Sequence, residues 1–171
     1  MKSMTLDDLK QGFTTFWDSV SEGWQRLRQS AAGALIRFLP GEASNLPRKG
    51  DVDDSFYLPS HGWAFLGGDV YEDADRLVVR IEIPGMRKDE FRIEVVDDAL
   101  VVSGEKHFER ESTEGRYRLL QCAYGSFRRL IALPTRVIAD RADARYADGV
   151  LRIELPKAAP GAPQSHTIQV N

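Results

Sequence analysis

Three histidines, His61, His107 and His166, are the first residues to weigh for metal or proton chemistry, and they stand far apart without ligand spacing. Ser126 and His107 supply a nominal nucleophile and base, but neither sits in the Gly-x-Ser-x-Gly turn that exposes a catalytic serine. A phosphate cradle of the Gly-x-x-x-x-Gly-Lys-Ser/Thr kind does not occur; Gly67-Gly68 and Gly149 read as turn glycines, so nothing supports ATP use. Cys122 is the single cysteine, lies among uncharged neighbours and reads as an inert thiol. Glu105, Glu109, Glu111 and Glu114 crowd one charge-rich stretch, the mark of a solvated loop. No catalytic residue, cofactor or metal is therefore expected, and the protein is not read as an enzyme. Its chemistry should be recognition.

The elements that would position such recognition fall into three segments of the 171 residues. A net charge of −3 gives no general attraction to nucleic acid. The first residues lack a secretory apolar run, and no stretch reaches the roughly 18 apolar residues of a membrane span. A cytoplasmic protein is expected.

Residues 1–64 read as an arm. Nine of the sixteen aromatics fall within the first 65 residues, far more than an even spread would place there. Leu6, Leu9, Phe13, Phe16, Val20, Trp24 and Leu27 recur at three and four, one face of a helix. From Phe38 onward, Pro40, Gly41, Pro47, Gly50 and Pro59 interrupt any period, so the arm is expected to be dispensable for the fold.

Residues 65–156 read as an all-β, antiparallel sandwich. Leu77, Val79, Ile81 and Ile83 alternate with Val78, Arg80 and Glu82, the period of a half-buried strand. Phe91, Ile93 and Val95 alternate in the same way, and Val101-Val102 implies apolar contact on both faces. Phe127 to Leu133 forms a further strand, stopped by Pro134, and Asp148-Gly149 turns the chain into Val150–Leu155. Short strands between turn signals indicate a sandwich. Between Lys106 and Gly125 the chain makes an excursion too long for a hairpin, in which Tyr117 to Cys122 reads as a strand able to pair with another subunit. Within Phe127–Leu133, Arg129 shares the apolar side; it is either paired there or at an edge pointing to water.

Residues 157–171 are polar and broken by Pro160, Gly161 and Pro163, yet end on Ile168-Gln169-Val170. An extended backbone puts both β-branched residues on one side as a two-pronged plug; the alternative is a disordered end.

Several ordered motifs now carry a resemblance to the small heat-shock, or α-crystallin, proteins. They are Asp69-Val70-Tyr71-Glu72-Asp73, Ile83-Pro84-Gly85-Met86, Leu100-Val101-Val102-Ser103-Gly104-Glu105, Tyr124-Gly125-Ser126-Phe127-Arg128-Arg129 with Leu133-Pro134, Ala144 to Leu151, and the terminal Ile-x-Val. Where many bacterial and plant members carry Glu-Arg before the Tyr124-Gly125 position, this chain has Gln121-Cys122, so a family ion pair is missing. The resemblance implies an immunoglobulin-like sandwich, dimers as building blocks and larger homo-oligomers. It implies that Ile168 and Val170 plug a neighbour's groove along Phe91, Ile93 and Val95. It places Tyr117, Leu119, Gly125 and Arg129 at the dimer interface, with Glu109 or Glu111 of a neighbour facing the arginine. Clients would be non-native proteins, held without ATP by Phe13, Phe16, Trp17, Trp24 and Phe38. Two rivals stay open: a membrane-surface role for the amphipathic helix, whose mixed charges suit anionic lipid poorly, and a co-chaperone with fixed partners.

Overall fold

The computed structural model describes residues 33–41, 44–60, 62–158 and 165–171. Among the described residues there are ten strands: β1 (Leu35–Phe38), β2 (Gly62–Phe65), β3 (Gly68–Glu72), β4 (Arg76–Glu82), β5 (Phe91–Val96), β6 (Ala99–Lys106), β7 (Gly125–Ala132), β8 (Asp143–Ala147), β9 (Val150–Pro156) and β10 (Ser165–Ile168). They form two four-stranded antiparallel sheets, ordered β10-β5-β6-β7 and β3-β4-β9-β8, with β1 and β2 as a separate pair.

Alternation builds the core. Leu77, Val79 and Ile81 of β4 meet Leu151, Ile153 and Leu155 of β9 from one sheet, and Ile93, Val95, Leu100, Val102 and Phe127 from the other. Each such side chain gains about 1.5–3 kcal/mol when fully buried, which is why register cannot slip by one residue. Val101 and Val102 are both buried, on opposite faces of β6. Two-residue turns at Asp97-Asp98 and Asp148-Gly149 close the β5–β6 and β8–β9 hairpins.

Part of the expected 1–64 arm is instead built into the sandwich. Ile36, Phe38 and Leu66 belong to the core, Phe38 is 1% exposed, and its ring lies 5.1 Å from that of Phe127. Leu39 and Ser126 exchange backbone hydrogen bonds of 2.9 and 3.0 Å, which fasten β1 to the start of β7. Gly125 sits at the crossing with φ +112°, and a Cβ there would stand 2.5 Å from the backbone of Leu39 and Pro40. Only glycine fits that contact. The compact unit thus runs over residues 33–171 rather than beginning near residue 65. β1 is four residues long and followed by Leu39, Pro40 and Gly41, too short a run for periodicity to reveal.

Candidate assembly interface

The tail lies along the open edge of the sandwich. β10 pairs with β5 in the register Ile168↔Ile93 and His166↔Val95. Ile168 is 5% exposed and joins the core cluster, with half-buried Phe91 and Val170 packed against that cluster. Val170 then bridges Ala144 of β8, and the Asn171 backbone N–H donates to the Ala144 carbonyl at 2.9 Å. The Asn171 side-chain amide reaches Asp143 Oδ1 at 3.3 Å. The tail therefore spans the edge strands of both sheets. Tyr146 shapes this edge: its ring is 4.8 Å from that of Phe91, and its hydroxyl donates to the Ile83 carbonyl at 2.8 Å. The groove occupied here is the chain's own; docking into a neighbour's groove is a separate proposition. Nothing in the sequence marks Tyr146 or Asn171 for this role, because neither belongs to the Ile-x-Val pattern.

Residues 107–124, between β6 and β7, hold no strand. Tyr117–Cys122 reads as a strand by composition, but Tyr117 makes only an isolated parallel bridge to Val52, and Leu119 is exposed. Phe108 is buried, with Tyr117 and Tyr124 packed edge-on to it at 5.2 Å each. Burial is the main cause that raises the Tyr124 hydroxyl above its usual value, with Cys122 beside it adding to the effect. Gly125, expected at an inter-subunit contact, is packed against Leu39 and Pro40 of its own chain.

Arg129 points inward, 7% exposed and opposite fully buried Val102. Its Nη1 donates to the Leu66 carbonyl, and Nε has no partner among the described residues. No described carboxylate forms an ion pair with it. Burial pulls the guanidinium below its usual value, although an arginine stays protonated. Gly68 makes room for it: a Cβ there would meet Nη1 and Nη2 at 3.0 and 3.1 Å, and the Arg80 carbonyl at 2.7 Å.

Exposed apolar side chains gather on the β1–β2 pair. On the β1–β2 pair, Leu35 stands opposite Phe65 and Arg37 opposite Trp63, with Leu35, Trp63 and Phe65 about half exposed. Phe56 is 91% exposed, and it lines a cavity of about 300 Å³ with Leu58, Trp63, Leu120 and Cys122. Phe13, Phe16, Trp17 and Trp24 lie outside the described residues, as does the helical pattern behind the membrane-surface reading. Phe38, grouped with them from sequence, is core: a ring 1% exposed offers no surface to a client. Among the described residues no cluster of His, Cys, Asp and Glu is placed to hold a metal, and no helix is long and apolar enough to cross a membrane.

Residues 69–171 match the Hsp20/alpha crystallin family. Over 91 residues the chain is 40% identical to heat shock protein 16 of Schizosaccharomyces pombe, covering 52% of this chain and 64% of that protein. It is 34% identical over 87 residues to the 17.6 kDa class I heat shock protein 1 of Arabidopsis thaliana, covering 50% of this chain and 56% of that one. The matches thus span somewhat over half the length of these relatives. Among solved structures, heat shock protein 16.0 from Schizosaccharomyces pombe superposes with a TM-score of 0.51 at 36% identity, over 57% of this chain and 91% of that one.

Proposed function

The chain belongs to the Hsp20/alpha crystallin family of small heat-shock proteins, and from that premise we propose that it is an ATP-independent holdase acting as an oligomer of dimers. It binds proteins as they unfold and keeps their apolar segments from one another. The observation that carries this reading is the exposed apolar surface that Leu35, Trp63 and Phe65 of the β1–β2 pair form with Phe56. Contiguous apolar exposure of this kind marks an interaction site. Non-native clients present the matching chemistry, and the arm aromatics Phe13, Phe16, Trp17 and Trp24 add to the same capacity. An unpaired, exposed Cys122 fits a reducing cytoplasm.

Assembly follows from the two ends of the sandwich. Ile168 and Val170 of one subunit enter the Phe91–Ile93–Val95 edge of another, and the excursion with Arg129 forms the dimer joint. The test is light scattering of a heat-aggregating protein with the chain present at increasing ratios, with and without ATP. Suppression near equimolar ratio and independent of nucleotide is expected. A requirement for ATP, or catalytic refolding by small amounts, would sink the reading.

A further inference from the structure

The excursion between β6 and β7 is tied to a part of the chain that the family match does not reach. The match begins at residue 69, whereas the ties run to residues 50–54. The Asp53 backbone N–H donates to the Tyr117 carbonyl at 2.9 Å, beside the parallel bridge between Val52 and Tyr117. On either side of Tyr117 an arginine turns back to the same carboxylate. Arg116 Nη2 stands 2.7 Å from Asp53 Oδ1 and Arg118 Nη1 pairs with Asp53 Oδ2. Arg116 also reaches the Gly50 carbonyl at 3.3 Å. One aspartate therefore clamps three consecutive residues of the excursion, and Val52 beneath it is buried.

We propose that Asp53 is a latch that parks the excursion on its own chain, so that dimer assembly requires the latch to open. The proposal rests on the reading of the excursion as the dimer joint. An excursion lying against Val52 and Asp53 cannot at the same time reach out along a partner's sheet edge. Lending it breaks both arginine pairs and the Asp53–Tyr117 bond. Those pairs are built to open: the Arg116 and Arg118 side chains are 56% and 80% exposed, and Asp53 is 28% exposed. Exposed pairs are weak and screened by salt, so together they are expected to shift the parked-to-lent balance by about three- to tenfold. The latch thus makes assembly respond to ionic strength without any ligand.

The latch exists only before assembly, which gives a kinetic signature. In the full-length chain, Asp53→Asn should lower the dimer dissociation constant by about three- to tenfold, through faster association with the dissociation rate unchanged. Mass photometry across a nanomolar dilution series gives the constant, and mixing chains labelled at the N-terminus gives the rates. Raising salt to about 0.5 M should speed association of the unaltered chain and leave Asp53→Asn unmoved. The charge-exchanged chain carrying Asp53→Arg, Arg116→Asp and Arg118→Asp should return toward the original rate, which a merely structural role would not produce. An Asp53→Asn dimer of unchanged or weaker affinity, or one altered only in dissociation, overturns the latch. Hydrogen exchange separates that failure from failure of the underlying reading. If amides 117–122 gain no protection on dimerisation, the excursion is not the joint, and the latch falls with it.

Discussion

Arg129 donates to the carbonyl oxygen of Leu66, a residue 63 positions earlier that carries the chain from β2 to β3. A guanidinium placed among Phe127, Val102 and the β3 backbone thereby holds down the strand that edges the second sheet. One carbonyl is a thin partner for a buried charge, whose desolvation costs several kcal/mol. A carboxylate from a neighbouring subunit would complete the site.

Arg129→Gly is expected to act twice. It strips Leu66 of its donor, a loss of about 1–3 kcal/mol for a buried acceptor, and it removes the group that would pair across the joint. Assemblies should become larger and heterogeneous, and the urea midpoint should fall. Arg128→Gly, from the exposed side of the same strand, should change neither. Mass photometry and urea unfolding of the two variants decide the matter; identical behaviour removes the case for Arg129.

The inward direction of Arg129 was legible because it alternates with Phe127, and the β4, β5 and β9 strands were legible for the same reason. Its partner was not, since a backbone carbonyl leaves no trace in the residue type of Leu66. β1 and β2 escaped because four-residue strands among prolines carry no measurable period. The Asp53 clamp escaped because it joins two aperiodic stretches across more than sixty residues. In the tail, an extended, apolar Ile168 was legible, while the reach of Asn171 to β8 depends on where the edge of the other sheet lies.

The two prongs of the plug should differ. Ile168 is buried in the core, whereas Val170 is only half-buried against it. Ile168→Ala should therefore weaken docking by about 2–4 kcal/mol and Val170→Ala by about 1. Replacing both should shift large oligomers toward dimers, read by multi-angle light scattering. Equal effects of the two single variants would contradict the geometry.

Acid should loosen the fold through the β3–β4 turn and β9. Asp73 is held below the usual carboxylate value first by the backbone N–H groups of Asp75 and Arg76, and Glu154 by Arg152 and then Arg76. A carboxyl whose folded value is depressed stabilises the fold above its unfolded value and loses that contribution as pH falls through the folded one. The contribution is thus present at pH 7 and fades below about pH 4.5. Asp73→Asn and Glu154→Gln should lower the melting temperature slightly at pH 7 and flatten its decline between pH 5 and 3. A decline as steep as in the unaltered chain would place the acid sensitivity elsewhere.

Two truncations locate where the fold begins. Removing residues 1–32 deletes Phe13, Phe16, Trp17 and Trp24 and leaves every buried residue of the compact unit in place. Its β circular dichroism and cooperative unfolding should persist, with client suppression reduced but not abolished, because Leu35, Phe56, Trp63 and Phe65 remain. Removing residues 1–60 also takes Ile36, Phe38, Val52 and Tyr57, all buried. Losing a core phenylalanine alone costs about 3–5 kcal/mol, against a total stability of about 5–15 for a domain. The shorter protein should therefore melt far lower or aggregate. The single substitution Phe38→Ala should reproduce much of that loss in the full chain, as a fall in urea midpoint rather than a selective loss of client binding. If the protein lacking residues 1–60 unfolded as cooperatively and at the same temperature as the one lacking 1–32, the β1 contact with β7 would have no part in the fold.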